Sequence, residues 1–394
     1  MIIGILNSGG DCPGINAVIE GYVSAAYRRG WRVIGFHDGF EGLLPVAGGR
    51  RYETLTPNKT HKIRAYGGTI LGTTSTGNFK VVTNKVGRRQ VDREVMAKAK
   101  KTINALGLQA LAVIGGSGSA RTAKLLSEEG LPVISIPKTI NNDLCSDSDY
   151  TFGFHSAVSV VTESIDRIRT TANAHQRMMV IEVMGDMSGW IGLYGGIAAA
   201  ADVVLIPEIE YDLDKVIECV KARKATGQRE IIVVVAEGSR LNGNLVTVHN
   251  KENGDERLGG IGNKLSHILQ ERTGIETRYC VLGHTQRGGS PCAFDRILGV
   301  RFGVEAVKLI EKKDFGKTVV LNGLNIDNVP IEEAVAHHRF VNPESQIIST
   351  ARDLGIIFGD RTPEDLHSDR KKATGDKASK PARKCSKSKS ADYK

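Results

Sequence analysis

In the stretch SIPKTINNDL, Ser135 to Leu144, five polar side chains fall within six residues: Lys138, Thr139, Asn141, Asn142 and Asp143. The stretch begins as the tail of an apolar run and ends as a polar loop. An ammonium beside a hydroxyl suits a phosphate group. A carboxylate could take a proton from a substrate hydroxyl or hold a hard cation. Each of those tasks would want its own carboxylate, and the stretch offers only Asp143.

Other loops carry compatible chemistry. NSGGDCPGIN, Asn7 to Asn16, places Gly10 between an apolar run and a helix-period segment. Its glycines would let backbone approach a ligand, and a helix N-terminus there would favour phosphate. It has neither the GKS or GKT ending of a Walker loop nor the GxGxxG spacing, so by itself it equally fits a tight turn. AVIGGSGSARTA repeats the pattern with Gly116, Ser117, Gly118 and Ser119, and Gly118 leaves space for a bulky group. The alternative is a purely structural turn. GGTILGTTSTGN adds Ser75 and Thr76, rich in hydroxyls but without the positive charge of a phosphate clamp.

A second group of loops is charged. Arg177 precedes the apolar run MMVIEV, and Met184 and Gly185 follow it. An arginine there is costly to bury unpaired, so it implies an ion pair or an anionic ligand. Glu237 ends the run IIVVVA, where it could accept bonds from sugar hydroxyls, cap a helix or pair with Arg240. Arg278 stands at the start of the next run, and His284 and Arg287 follow it. Arginine's planar fork matches phosphate oxygens, and packing accounts poorly for three such donors around one run.

The elements that must position these loops alternate. Strands are expected over Ile2–Leu6, Trp31–Phe36, Ala110–Ile114, Pro132–Ile136, Met178–Met184, Val203–Ile206, Glu230–Val235 and Thr277–Leu282. Helices are expected over Gly14–Arg29, Ser119–Glu129, Thr151–Ala174, Gly189–Ala201, Leu213–Lys224, Gly259–Thr273 and Ala293–Lys312. This alternation predicts an α/β protein with mostly parallel sheets buried on both faces. In such sheets ligands bind beyond the carboxyl ends of the strands, where the polar loops lie.

Composition bounds the rest. The 394 residues carry a net charge of +9, of which +7 belongs to the tail Ser368–Lys394. With almost no large apolar residue, the segment 363–394 is expected to be disordered and solvated, and nucleic acid is not an expected partner. No apolar run approaches the roughly 20 residues of a membrane span, and the N-terminus lacks a signal-peptide pattern. The six cysteines are scattered without a CxxC pair, which fits a reduced, cytoplasmic protein.

In order along the chain, GILNSGGDCPGINAVI, GGTILGT, IGGSGS, PKTINNDL, TFGFHSAV, HQRMMVIEVMG, VLIPE, AEGS, VLGHTQRGGSP and STARDLGIIFGD resemble the motifs of the 6-phosphofructokinase family. Each is weak alone, and the ordered set is specific. The resemblance implies two Rossmann-like lobes with the active-site cleft between them. It assigns 1–152 plus about 286–330 to a phosphoryl-donor lobe, and 153–285 plus about 331–362 to a sugar-phosphate lobe. It implies phosphoryl transfer from ATP or pyrophosphate, with Mg2+, to the 1-hydroxyl of fructose 6-phosphate in glycolysis. Arg177, Arg278, His284 and Arg287 would hold the sugar phosphate, with the first two usually reaching in from a neighbouring subunit. A homodimer or homotetramer is therefore expected. Thr139, Asn141, Met184, Gly185, Asp186 and Glu237 would contact the sugar. Gly10, Ser75, Thr76 and Gly116–Ser119 would face the donor. Gly118 resembles the ATP-accepting form and Lys138 the pyrophosphate-using branch. The preferred reading is ATP, because an aspartate at 118 is what would block a nucleotide.

The resemblance also exposes departures. The family loop usually reads T-I-D-N-D, so Asn141 stands where the catalytic base belongs, with Lys138, Thr139 and Asp143 around it. Ser117 replaces an aspartate associated with magnesium, which leaves Asp143 as the available carboxylate for a metal. Asp186 stands where a basic residue is common, and Ser75 and Thr76 where a donor-facing Arg or Lys is usual. All four departures are expected on the donor and chemistry side. Two readings follow: a working 6-phosphofructokinase, or an impaired paralogue that binds fructose 6-phosphate or a related sugar phosphate as a sensor or regulatory subunit.

Overall fold

The apolar runs fold into two sheets. The computed structural model describes residues 1–365 apart from 47, 76, 80, 81, 84–88, 145–147 and 250–255. Thr76 and the basic tail beyond 365 therefore lie outside the described residues. The strands that frame the site are β1 (Ile2–Ser8), β2 (Arg32–Phe36), β3 (Tyr52–Leu55), β4 (Ala110–Gly115), β5 (Val133–Thr139), β6 (Met178–Val183), β7 (Val203–Leu205), β8 (Ile231–Ala236), β9 (Thr277–Val281), β10 (Lys317–Asn322) and β11 (Asn325–Pro330). The helices are α1 (Ile15–Tyr27), α2 (Arg93–Ala105), α3 (Ser117–Glu128), α4 (Phe154–His175), α5 (Trp190–Ala198), α6 (Leu213–Ala225), α7 (Ile261–Thr273) and α8 (Ala293–Lys312), with shorter helices after them.

The first sheet runs in the order β11-β10-β5-β4-β1-β2-β3. Its middle is parallel, and β3 and β11 pair antiparallel at the two edges. The second sheet, β7-β8-β6-β9, is parallel throughout. β8, IIVVVA, is buried along its whole length, as a β-branched run must be when helices cover both faces. The α/β class with mostly parallel sheets is as the alternation predicts.

Helices α1 and α8 pack through glycine. A Cβ on Gly21 would stand 2.4 Å from Val300 O, and one on Gly303 would stand 2.2 Å from Val18 O. No side chain fits at either point, so the two backbones touch. This contact matters for the site, because α1 follows the loop bearing Gly10 and α8 follows the turn bearing Arg287. Phe302 is fully buried on α8, edge-on to Phe152 at 6.2 Å, and its truncation to Ala should cost about 3–5 kcal/mol.

Three local differences from the sequence reading bear on function. β5 continues to Thr139, three residues beyond its expected end. The two-residue strand Phe152–Gly153 pairs with Lys138 and Thr139 and supplies hydrogen bonds that no local pattern announces. α3 begins at Ser117 rather than Ser119, which puts Ser117 and Gly118 in the first helical turn. The hairpin β10–β11 completes one edge of the first sheet, and Gly323, with a φ of 57° at the first position of the two-residue loop Gly323-Leu324, was the available signal. No helix among the described residues is long and apolar enough to cross a membrane.

Candidate active site

The donor-side loops meet at a topological switch point. Ser8 of β1 lies beside Gly115 of β4, and from there the chain runs to β2 on one side and to β5 on the other. The crevice between diverging connections is the standard ligand position in such sheets. A cavity of about 280 Å³ opens there, lined by Gly9, Gly10, Ser75, Gly118 and Ser119. Ser117 starts α3 with Gly116 at its N-cap, so the unpaired N–H groups of that turn lie at the rim. A Cβ on Gly118 would meet nothing within 4 Å, so the space expected at that residue is present. Gly116 lies against the end of β5, its notional Cβ 3.5 Å from Lys138 O.

Phe40 and Phe79 also line this cavity, stacked with centroids 5.3 Å apart. Glu41 beside them accepts from Asn78 N at 2.6 Å and Asn78 Nδ2 at 2.8 Å, which ties down the loop that carries Ser75. The sequence reading missed all three. They come from a short 3-10 turn and a loop with no periodicity, and only the fold brings them together.

The PKT loop is held by its own side chains. Thr139 Oγ1 donates to Asp143 Oδ1 at 3.0 Å and accepts from Asn141 N at 3.0 Å. Asn141 Nδ2 faces Asp143 Oδ2 at 3.5 Å, and Asn141 Oδ1 is buried without a partner. Asn142 adopts a left-handed φ of 56° and accepts from Thr151 N at 3.1 Å. Burial pushes the Asp143 carboxyl up, while Thr139, its own backbone, Asn141 and the charge of His338 pull it down. Arg339 N donates to Asp143 O at 2.9 Å, so the segment after β11 braces this loop.

Lys138 is 3% exposed, and its ammonium donates to Ser8 O at 3.0 Å and to Gly10 O. Burial lowers its pKa to about 8, helped by the nearby Arg287, while Cys12 and Asp11 oppose the shift. Cys12 lies in the same loop with its thiol pushed up to about 12 by burial, which makes it a core residue and not a nucleophile.

The charged loops leave the carboxyl ends of β6, β8 and β9. Glu237 Oε1 accepts from Gly185 N at 3.1 Å and from Asp186 N at 2.9 Å. Burial pushes the Glu237 carboxyl up. Met184 N donates to Oε1 of Gln286, a fully buried amide that the sequence reading passed over. His284 is exposed on the turn Gly283–Arg287, and Arg287 is half-buried. Arg287 Nη1 donates to Asp11 O at 3.1 Å. Met184, Gly185, Glu237, His284 and Arg287 thus share one end of the second sheet.

One expectation needs correction. Asp186 is expected both among the donor-side departures and as a substrate contact, and the first of these does not hold. It stands instead in the loop of Met184 and Gly185, exposed and bonded through its N–H to Glu237. The reason is topological: that loop ends β6, in the second sheet. Arg177 and Arg278 stand apart from His284 and Arg287 within the chain, an arrangement compatible with the expectation that they reach a neighbouring subunit's site. Arg177 directly precedes β6 and Arg278 is the second residue of β9, so both lie at the opposite end of the sheet. Six strand residues separate the two ends, about 20 Å at ~3.3 Å per residue. Both arginines bind Glu276, Arg177 at 2.9 Å and Arg278 at 2.6 Å, and the Arg177 hydrogen bond holds that carboxyl down.

Among the described residues no group of three or more His, Cys, Asp or Glu side chains could cage a metal ion. The PKT loop offers Asp143 alone, and Ser117 offers a hydroxyl. This donor set fits a magnesium ion carried mainly on phosphate oxygens, which takes one or two protein carboxylates at most.

Two parallel sheets, one ending in glycine and hydroxyl loops and the other in charged loops that meet them through Arg287, define an α/β protein of the doubly wound class. The family model described as Phosphofructokinase matches residues 2–310. An ATP-dependent 6-phosphofructokinase of Chloroflexus aggregans is 46% identical over 362 residues, 91% of this chain and 98% of the relative. A pyrophosphate–fructose 6-phosphate 1-phosphotransferase of Amycolatopsis methanolica is 42% identical over 348 residues, 87% of this chain and 97% of the relative. The crystal structure of Pichia pastoris phosphofructokinase in the T-state matches with a TM-score of 0.73 at 29% identity, covering 94% of this chain and 37% of that longer one. The chain belongs to the phosphofructokinase family.

Proposed function

We propose that the protein is a 6-phosphofructokinase-type phosphotransferase, moving a phosphoryl group from ATP or pyrophosphate to the 1-hydroxyl of fructose 6-phosphate, and that it works in the cytoplasm. The observation that carries this reading is the meeting of Arg287 with the donor loop at Asp11, beside the PKT loop. It supports the reading because Arg287, the Gly10 loop and Lys138 of the PKT loop lie together.

In this reading fructose 6-phosphate lies against Met184, Gly185 and Glu237, with its phosphate on His284 and Arg287. The donor occupies the crevice of Gly10, Ser75, Gly116, Ser117, Gly118 and Ser119, and the open space at Gly118 favours ATP. The 1-hydroxyl oxygen attacks the terminal phosphorus, the bond to the leaving oxygen breaks, and the hydroxyl proton passes to a carboxylate. Asn141 cannot take that proton, so Asp143, bonded to Thr139, is the acceptor. Magnesium bound on the donor phosphates would supply charge neutralisation, with Asp143 as the one carboxylate at hand and so shared between metal and proton. Arg177 and Arg278 serve a neighbouring subunit's sugar phosphate. Turnover assays with ATP and with pyrophosphate, each with magnesium and fructose 6-phosphate, test the proposal. Fructose 1,6-bisphosphate above background is the expected result, and none from folded protein with either donor would sink it.

A second reading starts from residue type alone, since the amide of Asn141 cannot serve as a base. In it the chain binds fructose 6-phosphate as a sensor or regulatory subunit without turnover. Sugar-phosphate binding by calorimetry with no product would favour it.

A further inference from the structure

Arg287 is assigned by its proposed role to the sugar phosphate, yet its guanidinium rests on the donor loop. Nη1 donates to Asp11 O, and a Cβ built on Gly10 would stand 2.8 Å from Nη1 and 3.4 Å from Cζ. From the other flank Lys138 grips the same loop through Ser8 O and Gly10 O. A buried ammonium is costly unless its hydrogen bonds are made, so this grip keeps the loop from retreating. Gly10 is not among the glycines with positive φ, so its backbone does not require glycine. What the missing side chain leaves is room, and Arg287 fills it.

We infer that Gly10 is a positioning residue for sugar-phosphate recognition: its lack of a side chain sets where Arg287 stands, so the donor loop and the sugar-phosphate arginine move as one unit. The contact at 2.8 Å is with the far end of a flexible side chain, not with backbone. An added methyl group would therefore be relieved by displacing the guanidinium, while the loop stays pinned by Lys138. Because linkage is reciprocal, a sugar phosphate that fixes Arg287 also steadies the loop that faces the donor.

The inference rests on the proposed sugar-phosphate role of Arg287, and the test separates the two. Fructose 6-phosphate binding is measured by calorimetry, without donor, on wild type, Gly10→Ala, Arg287→Lys and the double variant, with thermal melting as the check on folding. Gly10→Ala is expected to bind about tenfold more weakly, the scale of one misplaced charged hydrogen bond, with an unshifted melting midpoint. The double variant is expected to bind no more weakly than Arg287→Lys alone, because both changes act on one contact. Wild-type affinity in Gly10→Ala, or losses that multiply in the double variant, would overturn the inference while the functional reading stands. Wild type that binds no fructose 6-phosphate would overturn both.

Discussion

The loops that end β1 and β4 present glycine backbone, hydroxyls and the start of a helix, whereas the loops that end β6, β8 and β9 present a carboxylate, an imidazole and a guanidinium. In the proposed reading the first crevice would recognise by shape and by backbone N–H groups, the second by side-chain charge. A site of the first kind tolerates replacement of its few side chains without losing its form. Ser117 sits in the opening turn of α3 and Asn141 keeps the hydrogen bonds of its loop, so the substituted positions are folded into intact surroundings. A site of the second kind stands or falls with single charges, and Arg287 and His284 are both in place. The contrast separates two properties, binding and turnover, that the motifs alone run together.

The largest effect should come from repairing the transfer side. Ser117→Asp combined with Asn141→Asp places carboxylates where the family usually has them and relieves Asp143 of its double role, and turnover should rise by roughly 10²–10⁴ over wild type. Equal rates of product formation would mean that Asp143 already does the work of both. Next in size, Arg287→Ala should weaken fructose 6-phosphate binding about a hundredfold, as expected for truncating one partner of a charged pair, and pyrophosphate or ATP binding by much less. Equal losses for both ligands would erase the distinction between the two sides. Mixing Arg177→Ala with Arg287→Ala protein should then regain sugar-phosphate binding that neither shows alone, provided the two ends of the second sheet complete each other between subunits. Failure to regain it in a stable mixed oligomer would place Arg177 outside the site.

The smallest effect is on stability. Lys138 is the buried cation that ties the transfer loop to the donor loop, and its folded pKa of about 8 lies below the usual 10.5. Between those values the unfolded chain binds more protons, so this group makes the protein gain stability as pH rises from about 8 to about 10.5. Lys138→Met should flatten that slope in chemical denaturation curves taken across the window. An unchanged slope would mean that Lys138 does not titrate there.

Much of this was legible in the residues. Apolar runs with helix-period segments between them specify parallel sheets, because a β-branched run of six can be satisfied only between two covering layers. The glycine and hydroxyl loops fall at strand ends for the same reason, and their order specifies the family. Less legible were contacts between distant segments. The extension of β5 through Lys138 depends on pairing with Phe152–Gly153, and the wall of Phe40 and Phe79 on a turn and a loop without periodicity.

The sequence by itself therefore determined the fold class, the family and which side chains are available for chemistry, since these depend on local pattern and residue type. Only the tertiary structure decided where they stand. It put Asp186 beside Glu237, set Arg177 and Arg278 a strand's length from His284, and laid Arg287 on Gly10. Each of those placements is fixed by how sheets order their strands and how closely backbones approach, and neither is written in any single stretch of residues.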